Sequence, residues 1–161
     1  MSDKLYTETL KVCHRHADRL QWAMTEMQKH IPFSSESLED FNDVEIAILD
    51  QFSTRFSKLQ DVMGMKLFPA VLELTKEQGE LDAFVDKLNR LEKIGAIDSA
   101  ADWLLLREMR NAFSHEYPDD PEIQAAILNK AFALAETLIG ILYRIEVFSS
   151  RFVLSVQGLS L

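Results

Sequence analysis

The sequence predicts an all-α protein: an up-and-down bundle of four main helices plus a short one. Three observations lead there. Apolar residues recur at steps of three to five along nearly the whole chain, which is the spacing of one helix face. Five Gly, four Pro and no Asn-Gly or Asp-Gly pair leave little turn chemistry for β-hairpins. With 47% hydrophobic residues in 161, the chain has enough apolar material for one sizeable core.

The elements follow in order. Leu5, Leu10, Cys13, Ala17, Leu20, Met24, Met27 and Ile31 form the apolar stripe of a first long helix that ends before Pro32. Residues 33–41, rich in Ser and acids, read as a connection with room for a turn of helix. A second pattern begins at Asn42 and runs through Val44, Ile48, Phe52, Phe56, Leu59 and Met63, past Gly64 toward Leu74, with Pro69 expected to kink or restart it. Gly79 is a candidate C-cap, followed by a short helix through Leu81, Phe84, Val85, Leu88 and Leu91 that Gly95 closes. Ser99 and Asp102 resemble a capping box opening the next helix, in which Trp103, Leu104, Leu105 and Leu106 are expected to pack inward and which stops at Pro118. Asp120-Pro121-Glu122 is a strong start signal for a final helix reaching about Ser150. The reading is one helical domain over 1–151 and a short apolar tail over 152–161.

Charge narrows the function. The net charge is −9, and both halves of the chain are mildly acidic. A broad basic face for nucleic acid is excluded, so a protein acting on RNA must concentrate a few cations in a cleft. Cys13 is the single cysteine, which excludes an internal disulfide or a thiolate metal cluster and suits a small buried hydrophobe. No stretch is judged to approach the ~20 apolar residues of a membrane span, and the N-terminal residues lack the apolar run of a secretory signal, so a cytoplasmic protein without a membrane partner is expected.

The polar residues gather in one place. Arg107, Arg110, Asn111, Ser114, His115 and Tyr117 fall within three turns. At about 100° per residue Arg107, Arg110 and Ser114 share one face, while Asn111 and His115 share another. Arg110 and His115 then stand about 140° apart, and meet only if the last turn unwinds or a second chain helps. Chemically, His115 suits proton transfer at an RNA 2′-hydroxyl, Arg110 suits a phosphate and the charge that develops on it, and Asn111 suits orienting His115 or bonding the backbone at the helix end. No metal or cofactor is needed for that chemistry. A purely structural account also exists, because Arg and His near a helix C-terminus complement its negative dipole end and Tyr117 before Pro118 could serve packing.

Arg110-Asn111-x-x-x-His115-x-Tyr117, at the end of a helix in a small bundle, resembles the signature of HEPN domains. The Tyr two residues after the His, and Arg55-Phe56 on the second helix, are similar to the subgroup of HEPN toxins paired with a minimal nucleotidyltransferase antitoxin. The resemblance implies a homodimer with both motifs on a shared cleft and metal-independent endoribonuclease activity. It implies as partner a nucleotidyltransferase that silences the toxin by placing AMP on Tyr117. The rival from another class is a non-catalytic nucleotide- or substrate-binding subunit of a nucleotidyltransferase; a purely structural helical dimer is a third reading.

Other features are expected to carry no chemistry. His14 and His16 stand about 200° apart on a helix and make a poor metal pair. Asp40, Asp43, Asp50 and Asp61 read as solvated face or caps, Glu26 and His30 as an i, i+4 pair, and Met63, Met65 and Phe68 as core.

Overall fold

In the computed structural model, the backbone of residues 2–76, 83–114 and 120–159 and the side chains of 3–76, 83–114 and 120–153 are described. Among these residues all regular structure is helical: α1 (Ser2–Met27), α2 (Ser35–Glu39), α3 (Asp43–Val62), α4 (Phe68–Leu74), α5 (Phe84–Lys93), α6 (Ala100–Ser114) and α7 (Pro121–Leu159). The all-α bundle is therefore as the periodicity requires. α1 packs along α3, α7 packs on α1 and α6, and α5 lies on α4 and α6.

Local chemistry explains the boundaries. α1 tightens into a 3-10 turn at Gln28–His30. That change of pitch breaks the expected Glu26–His30 spacing, and His30 Nε2 instead meets Glu45 Oε2 on α3 at 2.8 Å. Capping boxes built on Ser34 and Asn42 open α2 and α3. Gly95 has φ +87°, which suits a residue without Cβ, and the amide of Ala96 donates to Leu91 O at 2.9 Å, closing α5 in the Schellman manner. Ser99 Oγ accepts from the Asp102 amide at 3.1 Å, as the capping motif predicts, while Glu92 Oε2 takes the Ala100 amide at 2.9 Å. Asp120 Oδ1 accepts from the Glu122 amide at 3.0 Å and starts α7.

Between α3 and α4 the helix widens into a π turn at Met63–Leu67, and α4 restarts at Phe68 with Pro69 in its first turn, the restart expected of that proline. Pro69 has no N–H to give the carbonyl of Met65 and its ring crowds that carbonyl; the wider turn, with the Phe68 amide reaching back to Met63 O, takes up the misfit.

The core runs through the middle of the helices. Leu20, Phe52, Phe56, Leu59, Trp103, Leu106, Leu138 and Leu142 are fully buried. Cys13 is buried among them, and burial pushes its thiol up to about 12. Phe52 stacks on Phe132 with centroids 4.1 Å apart, tying α3 to α7. Asn129 on α7 clamps the α1–α2 connection, accepting from Phe33 N at 2.7 Å and donating to Phe33 O at 3.0 Å.

Several expected core positions lie outside it. Leu5, Val44, Met65, Val85, Leu104 and Leu105 are exposed, because the first and last turns of a helix overhang the core and an unbroken apolar run must turn part of itself outward. α7 continues as a helix to Leu159, beyond the expected end near Ser150. The expectation that nothing approaches a membrane span is also corrected: Pro121–Val153 is long and apolar enough to cross one by length and composition. That composition has a use inside the bundle, where Ala131, Ala135, Leu138, Leu142 and Ile145 are buried.

Candidate functional site

Helix α6 sorts its side chains by burial. Trp103, Leu106 and Met109 are buried at steps of three, which turns Arg107, Arg110, Asn111 and Ser114 away from the core. Trp103 is held against Phe68 with ring centroids 4.5 Å apart, fixing the helix rotation. The predicted common face of Arg107, Arg110 and Ser114 is present: Arg110 Nη1 donates to Ser114 Oγ one turn on.

The rest of Arg110 is directed by α3. Its Nε donates to Asp61 Oδ1 at 2.8 Å and its Nη2 to Oδ2 at 2.9 Å, a side-on bidentate pair. Asp61 was expected to be a solvated face or cap residue; it is instead the residue that aims the motif's arginine. The hydrogen bonds to Asp61 push the guanidinium's pKa further up, so Arg110 stays a cation. Three of its five N–H donors are then engaged, leaving one on each Nη for a ligand.

Arg110 opens onto a cleft of about 490 Å³ between α3, the π turn, α5 and α6. Gln60, Asp61, Met65, Lys87, Arg107, Arg110 and Asn111 line it, with Phe84 and Pro69 as apolar wall. Three cations against one carboxylate make this a local positive site on an acidic protein. Arg107 lies over the Phe84 ring at 5.4 Å from its centroid, which holds the guanidinium at the rim. Asn111 is exposed on the same cleft as Arg107 and Arg110, closer to them than its predicted separate face suggests, because neighbouring residues differ by only about 100°.

The cleft owes its shape to Gly64. A Cβ there would stand 3.2 Å from Trp103 Cζ2 and 3.9 Å from Phe84 ring atoms. Met65, expected in the core, is 76% exposed on the rim because the π turn rotates it outward, whereas Met63 and Phe68 are buried as expected.

His115 and Tyr117 lie outside the described residues, as do Gly79, Leu81 and Pro118. Among the described residues no histidine lines the cleft. The other histidines have partners elsewhere. His14 Nε2 meets Glu146 Oε2 at 2.8 Å, and His16 Nδ1 meets Arg55 Nη1 at 2.9 Å. Burial, then the charges of Arg55, Lys58 and Arg15, hold the His16 pKa below its ordinary value, so its Nδ1 is available to accept from Arg55. Phe56, beside Arg55, is core, packed edge-on to Phe113 at 5.4 Å.

Sequence reasoning missed Asp61 and Gln60. The Asp61–Arg110 pair spans 49 positions, and no local pattern announces it. Gln60 sits beside Leu59 in the buried stripe of α3, and a polar residue in that stripe was the one available signal. Compared with protein-family models, with curated proteins and with solved structures, the chain matches none of them, and the chemistry of the cleft rests on its own residues.

Proposed function

We propose that the chain is a cytoplasmic, metal-independent endoribonuclease toxin of a toxin–antitoxin pair, silenced by a partner nucleotidyltransferase that transfers AMP to Tyr117. One observation carries the reading: Arg110 of the Arg-Asn-x-x-x-His-x-Tyr motif is aimed by Asp61 into a cleft that also gathers Arg107, Lys87 and Asn111. That arrangement suits an RNA phosphate. Arg110 and Arg107 bind the phosphate oxygens and offset charge in the transition state. His115 takes the proton of the 2′-hydroxyl as that oxygen attacks phosphorus; the bond to the 5′-oxygen breaks and leaves a cyclic phosphate. In a homodimer the second His115 protonates the leaving oxygen, and two copies of Arg110 face the strand.

The rival, a non-catalytic nucleotide- or substrate-binding subunit of a nucleotidyltransferase, draws on the same cleft. Arg107, Lys87 and Arg110 supply the cations that holding a nucleotide phosphate needs, with no proton transfer required. The discriminating assay is purified protein on a long RNA in excess EDTA. Wild type is expected to cut, His115→Ala to lose about 10²–10⁴-fold, and Arg110→Ala to abolish cleavage, with helicity unchanged in both. Equal cutting by all three overturns the assignment, and no cutting by a wild type that binds the nucleotidyltransferase establishes the rival.

A further inference from the structure

The lining of the α3–α6 cleft holds a group that phosphate chemistry does not use. Gln60 is 5% exposed, lines the cleft, and has no side-chain hydrogen bond among the described residues. Its amide meets solvent only where it lines the cleft, so a ligand seated there displaces that water and must supply the hydrogen bonds in its place. Its neighbours in the cleft set what that ligand is. Met65 and Pro69 give an apolar wall, Arg107 gives a flat cation at the rim, and Arg110, held by Gln60's neighbour Asp61, has donors to spare. A flat heteroaromatic ring attached to a phosphate satisfies all of them together. About 490 Å³ lies within the ~300–1,000 Å³ typical of small-ligand sites.

We propose that this cleft is a nucleotide subsite selective for adenine in single-stranded RNA, with the Gln60 amide reading the base and Arg110, Arg107 and Lys87 taking the adjoining phosphate. The proposal rests on the reading of the chain as a ribonuclease and names the base beside the cut. The choice of adenine comes from the amide together with the phosphate-binding cations beside it, which turn toward the amide the N7 edge of the base, the edge nearest its own 5′-phosphate. There the amide's one donor and one acceptor match N7 and the N6 amino group of adenine. On the same edge guanine presents two acceptors, at O6 and N7, and uracil the single acceptor O4, so neither pairs both amide groups. Unstacked RNA bases are commonly bound in this way, by edge hydrogen bonds with a face laid on an aromatic or guanidinium plane. The chain's net charge of −9 weakens non-specific attraction for a phosphate backbone, so the strand depends on the cations of this cleft.

The test separates base recognition from cutting. Fluorescent 2′-O-methyl hexanucleotides of adenine or uracil cannot be cut, because the attacking hydroxyl is blocked, and their binding is read by anisotropy. The adenine hexamer is expected to bind wild type about tenfold more tightly than the uracil hexamer. Gln60→Met is expected to erase that preference while keeping uracil-hexamer binding, which also reports an intact fold. Met65→Glu, on the rim, is expected to weaken both hexamers alike. On wild type alone, AMP should compete better than GMP, UMP or inorganic phosphate, which keeps the test decisive where Gln60→Met does not fold. Equal binding of the two hexamers, AMP competing no better than inorganic phosphate, or an adenine preference that survives Gln60→Met overturns the proposal. RNA cutting without base preference sinks the subsite and leaves the nuclease standing; base preference without cutting does the reverse.

Discussion

Asp61 holds Arg110 from the side, with Oδ1 2.8 Å from Nε and Oδ2 2.9 Å from Nη2, so the carboxylate aims the guanidinium while lowering the positive charge it presents. The two effects separate on mutation. Asp61→Asn is expected to raise RNA affinity at low salt, because a negative charge leaves the cleft, and to lower the cleavage rate, because Arg110 loses its bidentate guide. The pair is partly exposed, so the stability loss should be about 1 kcal/mol or less. Filter binding and single-turnover cleavage on the same RNA check both directions; a rise or a fall in both together refutes the aiming role.

Arg110→Lys should rescue little of the activity that Arg110→Ala loses. An ammonium cannot span both Asp61 oxygens and a phosphate at once. Cleavage by Arg110→Lys within a few-fold of wild type would show that charge alone suffices.

Tyr117 is the expected acceptor of AMP. With ATP, Mg²⁺ and the partner nucleotidyltransferase, mass spectrometry should find the added nucleotide on Tyr117, and Tyr117→Phe should escape silencing. An adduct on another residue removes Tyr117 from the scheme.

Gly64→Val tests the packing behind the cleft. Even the first added carbon meets Trp103 Cζ2 at 3.2 Å, and Trp103 is fixed against Phe68. The cost should be about 1–3 kcal/mol, visible as a melting temperature lower by several degrees. An unchanged melting temperature would mean that Trp103 can move aside.

His16 gives the fold a pH dependence of known sign. Its pKa is lowered on folding from 6.5, so below that value the unfolded chain takes up a proton that the folded chain resists. Its contribution to stability is therefore complete above about pH 6.5 and declines as pH falls toward the lower folded value. Denaturant midpoints between pH 7 and 5 should fall less steeply in His16→Gln than in wild type. Parallel slopes would remove His16 from the account.

The parts of the fold legible in the sequence were those written locally. Ser99, Gly95 and Asp120 mark helix ends within a turn of themselves, and Phe52, Phe56 and Leu59 declare the inner face of α3 by spacing alone. Met65 and Leu105 were misplaced because spacing says which residues share a face but not where a neighbouring helix stops covering it. The site divides in the same way. Arg110 and Asn111 belong to a short contiguous motif, whereas Asp61 and Gln60 gain their meaning only when α3 is laid beside α6.

The π turn at Met63–Leu67 has one consequence of its own. A π turn closes a ring with one more residue than an α turn, so the rod formed by α3 and α4 carries a surplus residue at the point where it borders the cleft. Removing Met65 outright would force Pro69 onto an ordinary α turn, where its ring meets a carbonyl that no wider turn moves aside. The surplus residue thus carries the rod across a proline, and the same residue, turned outward as Met65, builds the rim of the cleft.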